Sequence, residues 1–160
     1  MQMEAKRSMG FVENCVNRTR HWVRKRTVLN KIRVLVFDED AADCELLRSA
    51  LLQESGAFVD ETQSVASALE MHRRTPYHVI LAGIQTGSWA AYELLKAIQE
   101  TVVEYRGFTP VVAVSELASP KDKQRTIDAG FDAYITRPFS ASDVINTIVQ
   151  VLNDAAKRAA

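Results

Sequence analysis

The stretch Tyr77-His78-Val79-Ile80-Leu81-Ala82-Gly83-Ile84-Gln85-Thr86-Gly87-Ser88-Trp89-Ala90-Ala91-Tyr92-Glu93-Leu94-Leu95 decides the fold. Tyr77 to Ala82 is a short apolar run of strand length and character. Gly83 to Ser88 has the composition of a loop. From Trp89 to Ile98, helix formers carry apolar residues at helical spacing. A strand therefore runs into a helix, with Gly83 at the strand's carboxyl end. In open α/β sheets ligands bind and chemistry occurs at that end. Glycine supplies no acid, base, nucleophile or metal ligand there.

Four further strand–helix pairs surround this one. Lys31 to Phe37 reads as a buried strand and ends in Asp38-Glu39-Asp40. A helix over Ala41 to Glu54 follows, with Cys44, Leu46, Leu47, Ala50 and Leu51 expected inside and Gly56 as its stop. Ala57 to Asp60 is a second strand. Ser64 caps a second helix through His72, which ends before Pro76. Past a polar connector at 104–109, Pro110 to Ser115 is a fourth strand. Ser119-Pro120 opens a helix in which Ile127 and Ala129 are expected to face inward, and Gly130 ends it. Phe131 to Thr136 is the fifth strand. Ser140 and Asp143 form a capping box for a last helix through Leu152. Alternating strands and helices demand parallel pairing. The expected fold is flavodoxin-like (βα)5: a doubly wound five-stranded parallel sheet with helices on both faces.

A helical extension precedes it. Residues 1–33 hold nine basic residues against Glu4 and Glu13, and the rest holds eleven basic and eighteen acidic residues, so a net charge of zero hides a basic arm on an acidic body. Met9, Val12, Cys15 or Val16, Thr19, and Trp22 or Val23 fall on one helical stripe, with Arg18, Arg20, Arg24, Lys25 and Arg26 on the other faces. The division is 1–30 for the basic amphipathic helix, 31–155 for the α/β domain and 156–160 for a tail. Apolar content of 47% over 160 residues suffices for a core. Cys15 and Cys44 show no metal or redox spacing, and His21, His72 and His78 are scattered. No run of about 18 apolar residues and no secretory h-region is present, so a cytoplasmic location is expected.

The strand ends carry the specific pattern: Asp38-Glu39 after the first, Ser115 closing the fourth, and Tyr134 on the fifth, three before Arg137-Pro138. With this pattern, the chain from Ile32 to Leu152 resembles the receiver domain of two-component response regulators. The resemblance implies a Mg²⁺-binding acidic pair at Asp38 and Glu39, switch positions at Ser115 and Tyr134, and a basic residue before a proline that often follows a cis peptide. Three departures stand out. The phospho-accepting aspartate of the family falls at Gly83, the Pro-Gly loop after it is Thr86-Gly87-Ser88, and its lysine falls at Arg137. An intact receiver uses that aspartate as nucleophile on a phosphoryl donor, with Mg²⁺ neutralising the transferred charge. The resemblance thus implies a degenerate receiver: not an enzyme, without cofactor, at most a weak Mg²⁺ binder, and acting by protein–protein contact in signalling. Arg137 is expected to clamp Asp38 or Glu39 where the metal would sit. Trp89 either covers the vacant site or merely packs.

Partners stay open at this point. They include a signalling protein, a second copy through the fourth helix–fifth strand–fifth helix face or the arm, and nucleic acid or anionic membrane through residues 1–30. Residual phosphoryl or small-ligand binding at the acidic pocket is the other alternative. The chain ends at Ala160, which leaves no output domain expected after Leu152.

Overall fold

The structure, a computed structural model, describes residues 29–101 and 108–159. Five strands alternate with five helices: β1 (Arg33–Phe37), α1 (Ala41–Glu54), β2 (Phe58–Thr62), α2 (Val65–Arg74), β3 (Val79–Gly83), α3 (Ala90–Thr101), β4 (Val111–Ser115), α4 (Pro120–Ala129), β5 (Ala133–Thr136) and α5 (Ala141–Ala159). All pairings are parallel, in the order β2-β1-β3-β4-β5. The flavodoxin-like doubly wound sheet expected from the sequence is the one observed. The basic arm and most of the connector at 104–109 lie outside the described residues.

Alternation along the strands builds two cores. Val34, Val36, Leu81, Val112 and Val114 face α1 and α5, meeting Cys44, Leu47, Leu51, Val144 and Ile148. Leu35, Phe37, Ile80, Ala82 and Ala113 face the other way, meeting Ala68 of α2 and Ala91, Leu94 and Ile98 of α3. β3 and β4 are buried at every residue, which explains their unbroken apolar runs. Each fully buried Val, Leu or Ile contributes about 1.5–3 kcal/mol relative to exposure. β2 is an edge strand, and its exposed Asp60 and Glu61 discourage pairing with another chain.

The helix ends follow their sequence signals. Ser64 and Ser119 accept from the backbone N–H groups of Ser67 and Asp122. Ser140 and Asp143 exchange the two bonds of a capping box at 3.0 and 3.1 Å. Gly130 caps α4 with φ 113°, a conformation that favours glycine. Four expectations need correction. Leu46 and Ile127 are 60% and 43% exposed and Ala129 is exposed too, not inward, because Leu47 and Leu51 already fill the inner face of α1 and Thr126 turns inward in α4. Residues 156–159, read as a tail, continue α5, whose last turn carries Lys157 and Arg158 near the helix's negative end.

Strand order reverses between β1 and β3, and this is where a doubly wound sheet opens a crevice at its carboxyl edge. Phe37 pairs with Ala82, Gly83 with Val114, and Ser115 with Thr136, so the residues after these strands converge there.

Candidate functional site

Asp38 follows β1 directly and is wholly buried. Its Oδ1 accepts from the Asp40 N–H at 2.9 Å and from Gln85 Nε2 at 2.7 Å. Its Oδ2 accepts from Arg137 Nη2 at 2.6 Å, an ion pair whose arginine side chain is only 10% exposed. Arg137 leaves β5 with its N–H donating to Ser115 O at 2.8 Å and is joined to Pro138 by a cis peptide. Its Nη1 lies 3.3 Å from Asp43 Oδ2, and Gln85 Nε2 donates to the same carboxylate at 2.8 Å. Four side chains from β1's end, the first turn of α1, the β3–α3 loop and the β5–α5 loop thus close on one another. Charge-assisted bonds at these lengths are the strong kind, and the buried carboxylate relies on them. Arg137 Nε is buried and lacks a hydrogen-bond partner among the described residues.

Glu39 takes no part in this closure. It is exposed and accepts a hydrogen bond from Ser88 Oγ. The expectation that Arg137 clamps Asp38 or Glu39 is therefore met for Asp38 alone. The fork spans Asp38 and Asp43, because residues 38 and 39 leave the strand end in different directions.

Gly83 borders the network from β3. A Cβ built on it would lie 1.8 Å from Asp38 Oδ2 and 2.4 Å from Asp38 Cγ. The Asp38 carboxylate thus occupies the space into which a side chain at 83 would project. Glycine is needed here for close approach.

Ser115 is buried at the end of β4, and its Oγ accepts from Leu117 N–H at 3.1 Å. The Tyr134 hydroxyl donates to the carbonyl of Leu117, while its ring packs against the second core. Both residues thus hold the β4–α4 loop. Trp89 is 72% exposed and packs on Tyr92, so it does not cover the site. Cys44, just beneath, donates its thiol to the Asp38 carbonyl at 3.3 Å. Burial, with the Asp38 charge second, pushes its pKa up to about 11. Asp43, Gln85 and Ser88 were not singled out in the sequence. Asp43 sits three residues after Asp40, which caps α1, so its place in the first helical turn was the available signal. The basic-arm residues Arg18, Arg20, Arg24, Lys25 and Arg26, with His21, lie outside the described residues. No described helix is long and apolar enough to cross a membrane.

Comparison with known proteins agrees with this architecture. The family model for the response regulator receiver domain matches residues 34–149. The polar-differentiation response regulator DivK of Brucella ovis is 30% identical over 122 residues, covering 76% of this chain and 97% of that protein. The gliding motility regulatory protein of Myxococcus xanthus is 31% identical over 122 residues, also 76% of this chain. The chain spans only 15% of that relative and 9% of histidine kinase 1 of Arabidopsis thaliana. Among solved structures, a CheY-like receiver domain protein from Methanospirillum hungatei superposes with a TM-score of 0.64 at 22% identity, covering 81% of this chain and 99% of that one. A family match over nearly all of the sheet, joined to the strand-end residues above, places this chain in the response regulator receiver domain family, as a receiver-like signalling domain.

Proposed function

We propose that this chain is a receiver whose phosphoryl-transfer site is closed by its own side chains and which signals by protein–protein contact without phosphorylation. One observation carries the reading: the Asp38 carboxylate fills the space of a side chain at position 83 and is held there by Arg137 at 2.6 Å. Position 83 is where the family's phospho-accepting aspartate falls, and glycine offers no nucleophile. The donor set does not suit Mg²⁺ either. That ion needs several free oxygens in near-octahedral array. Here Asp38 is engaged by Arg137 and Gln85, Glu39 is turned to Ser88, and a guanidinium already supplies the positive charge.

In this reading Arg137 replaces both metal and lysine as a permanent counter-charge. One conformation of the β4–α4 and β5–α5 loops is then fixed, with Ser115 and Tyr134 as supports. The working unit is the domain at 31–155, with residues 1–30 as an arm, and its partners are signalling proteins or a second copy through the α4–β5–α5 face. The buried free thiol of Cys44 suits a reducing cytoplasm.

Intact-mass measurement after incubation of the full chain with acetyl phosphate and Mg²⁺ tests this. No phosphoryl adduct is expected. An adduct, at Asp38 or elsewhere, would overturn it in favour of residual phosphoryl transfer.

A further inference from the structure

One flank of α1 is apolar and open. Leu46, 60% exposed, and Ala50 form one wall of a cavity of about 710 Å³, with Pro138 and Phe139 among the residues facing them. Glu116 and Asp43 add carboxylates to the lining, and Arg137, already paired with Asp43 and Asp38, adds a cation. The neighbouring stretch from Asp38 to Glu54 holds six acidic residues against the single cation Arg48. The groove is thus an apolar slot in acidic surroundings.

The described chain begins beside this flank. Leu29 is buried in the core that α1 and α5 share, and its N–H donates to the carbonyl of Ser55 at 2.9 Å, at the carboxyl end of α1. The 28 residues before it contain seven Lys or Arg and two Glu. Within them Val12, Val16, Thr19 and Val23 recur at helical spacing, with the basic residues between. A helix over 12–26 would be about 21 Å long, and α1 from Ser55 back to Leu46 spans about 14 Å. The arm therefore has the length to reach the groove from where the chain enters the fold.

We propose that residues 12–26 of the same chain dock in this groove as an amphipathic helix parallel to α1, apolar stripe on Leu46, Ala50 and Phe139, basic side chains over the acidic residues of α1. The arm then shields the flank of α1 that adjoins Arg137, and the opposite charges of arm and body meet within one molecule. This stands independently of whether the phosphoryl site is closed.

A nitroxide on the native Cys15 of the full chain tests it. Cys44 is wholly buried and its thiol pKa is pushed up to about 11, so it stays unmodified. Amide signals of Leu46, Ala50 and Phe139 should be at least halved in the ¹⁵N-labelled, spin-labelled chain, and those of Leu94 and Ile98 on α3 unchanged. The effect should vanish in Leu46→Asp, a change at an exposed position, and should fade in about 1 M salt, where charges are screened within about 3 Å. A mixture of spin-labelled ¹⁴N chain with unlabelled ¹⁵N chain should show none. Absence of broadening in the single-chain sample, broadening centred on another surface, or broadening only in the mixture, which marks docking on a second copy, would each overturn the proposal.

Discussion

Two polar clusters border the same sheet and differ in how they meet water. At the carboxyl edge, Asp38 and Arg137 pair at 2.6 Å with side chains 0% and 10% exposed. At the amino edge, Arg33 opens β1 and lies 3.8 Å from Asp60 with side chains 35% and 50% exposed. Around the second pair, the Tyr77 hydroxyl donates to Asp60 at 2.6 Å, Arg33 stacks over the Tyr77 ring, and Arg33 N–H donates to His78 Nδ1 at 2.9 Å. The residue types are alike. Burial makes the first an obligation and leaves the second an adornment, because an unpaired charge away from water is far costlier than one at the surface.

Breaking each cluster should show this. Arg137→Ala leaves the Asp38 carboxylate buried without its counter-charge and should cost about 3–5 kcal/mol in urea denaturation. Gly83→Ala retains every charge but forces Asp38 from its place, since the added Cβ would meet Oδ2 at 1.8 Å. Overpacking of this kind should cost about 1–3 kcal/mol, read in the same assay. Tyr77→Phe, in the half-open cluster, removes one hydrogen bond and should cost about 0.5–1.5 kcal/mol. Arg33→Gln should cost at most about 1 kcal/mol and lose its effect in high salt, whereas Arg137→Ala should be nearly salt-independent.

The amino-edge cluster also sets a mild pH dependence. Burial lowers the pKa of His72, whose Nδ1 accepts the Tyr77 N–H at 3.1 Å, and burial with Arg33 lowers that of His78. The unfolded chain then binds more protons than the folded one once pH drops below the ordinary histidine value, so stability falls as pH descends through 6.5 toward the lowered folded values. Urea midpoints should decline between about pH 7.5 and about pH 5.5, and His72→Gln should flatten part of that slope.

The fold was legible because its signals are local and repeated. Five apolar runs, each followed by a helix, admit few topologies, and the capping box at Ser140 and Asp143 formed as read. At the site, Asp38 and Arg137 could be paired because each stands at a strand end and parallel pairing brings those ends together. Asp43 and Gln85 escaped notice because their roles depend on the direction in which a helix turn and a loop aim their side chains. Glu39, next to Asp38 in sequence, turns to Ser88 rather than to Arg137 for the same reason. The exposure of Leu46 was equally hidden, since its neighbours Leu47 and Leu51 alone suffice to fill the inner face of α1.

If Asp38, Arg137, Gln85 and Gly83 close the site, Mg²⁺ and a phosphoryl mimic find no opening in it. Titration of the ¹⁵N-labelled full chain with Mg²⁺ and beryllofluoride, followed through the amides of Asp38, Asp40, Gly83 and Ser115, tests it most directly. Only small, non-saturating shifts, shared with residues far from the site, are expected. Saturable shifts confined to those four amides, with Tyr134 and Leu117 responding in step, would contradict it.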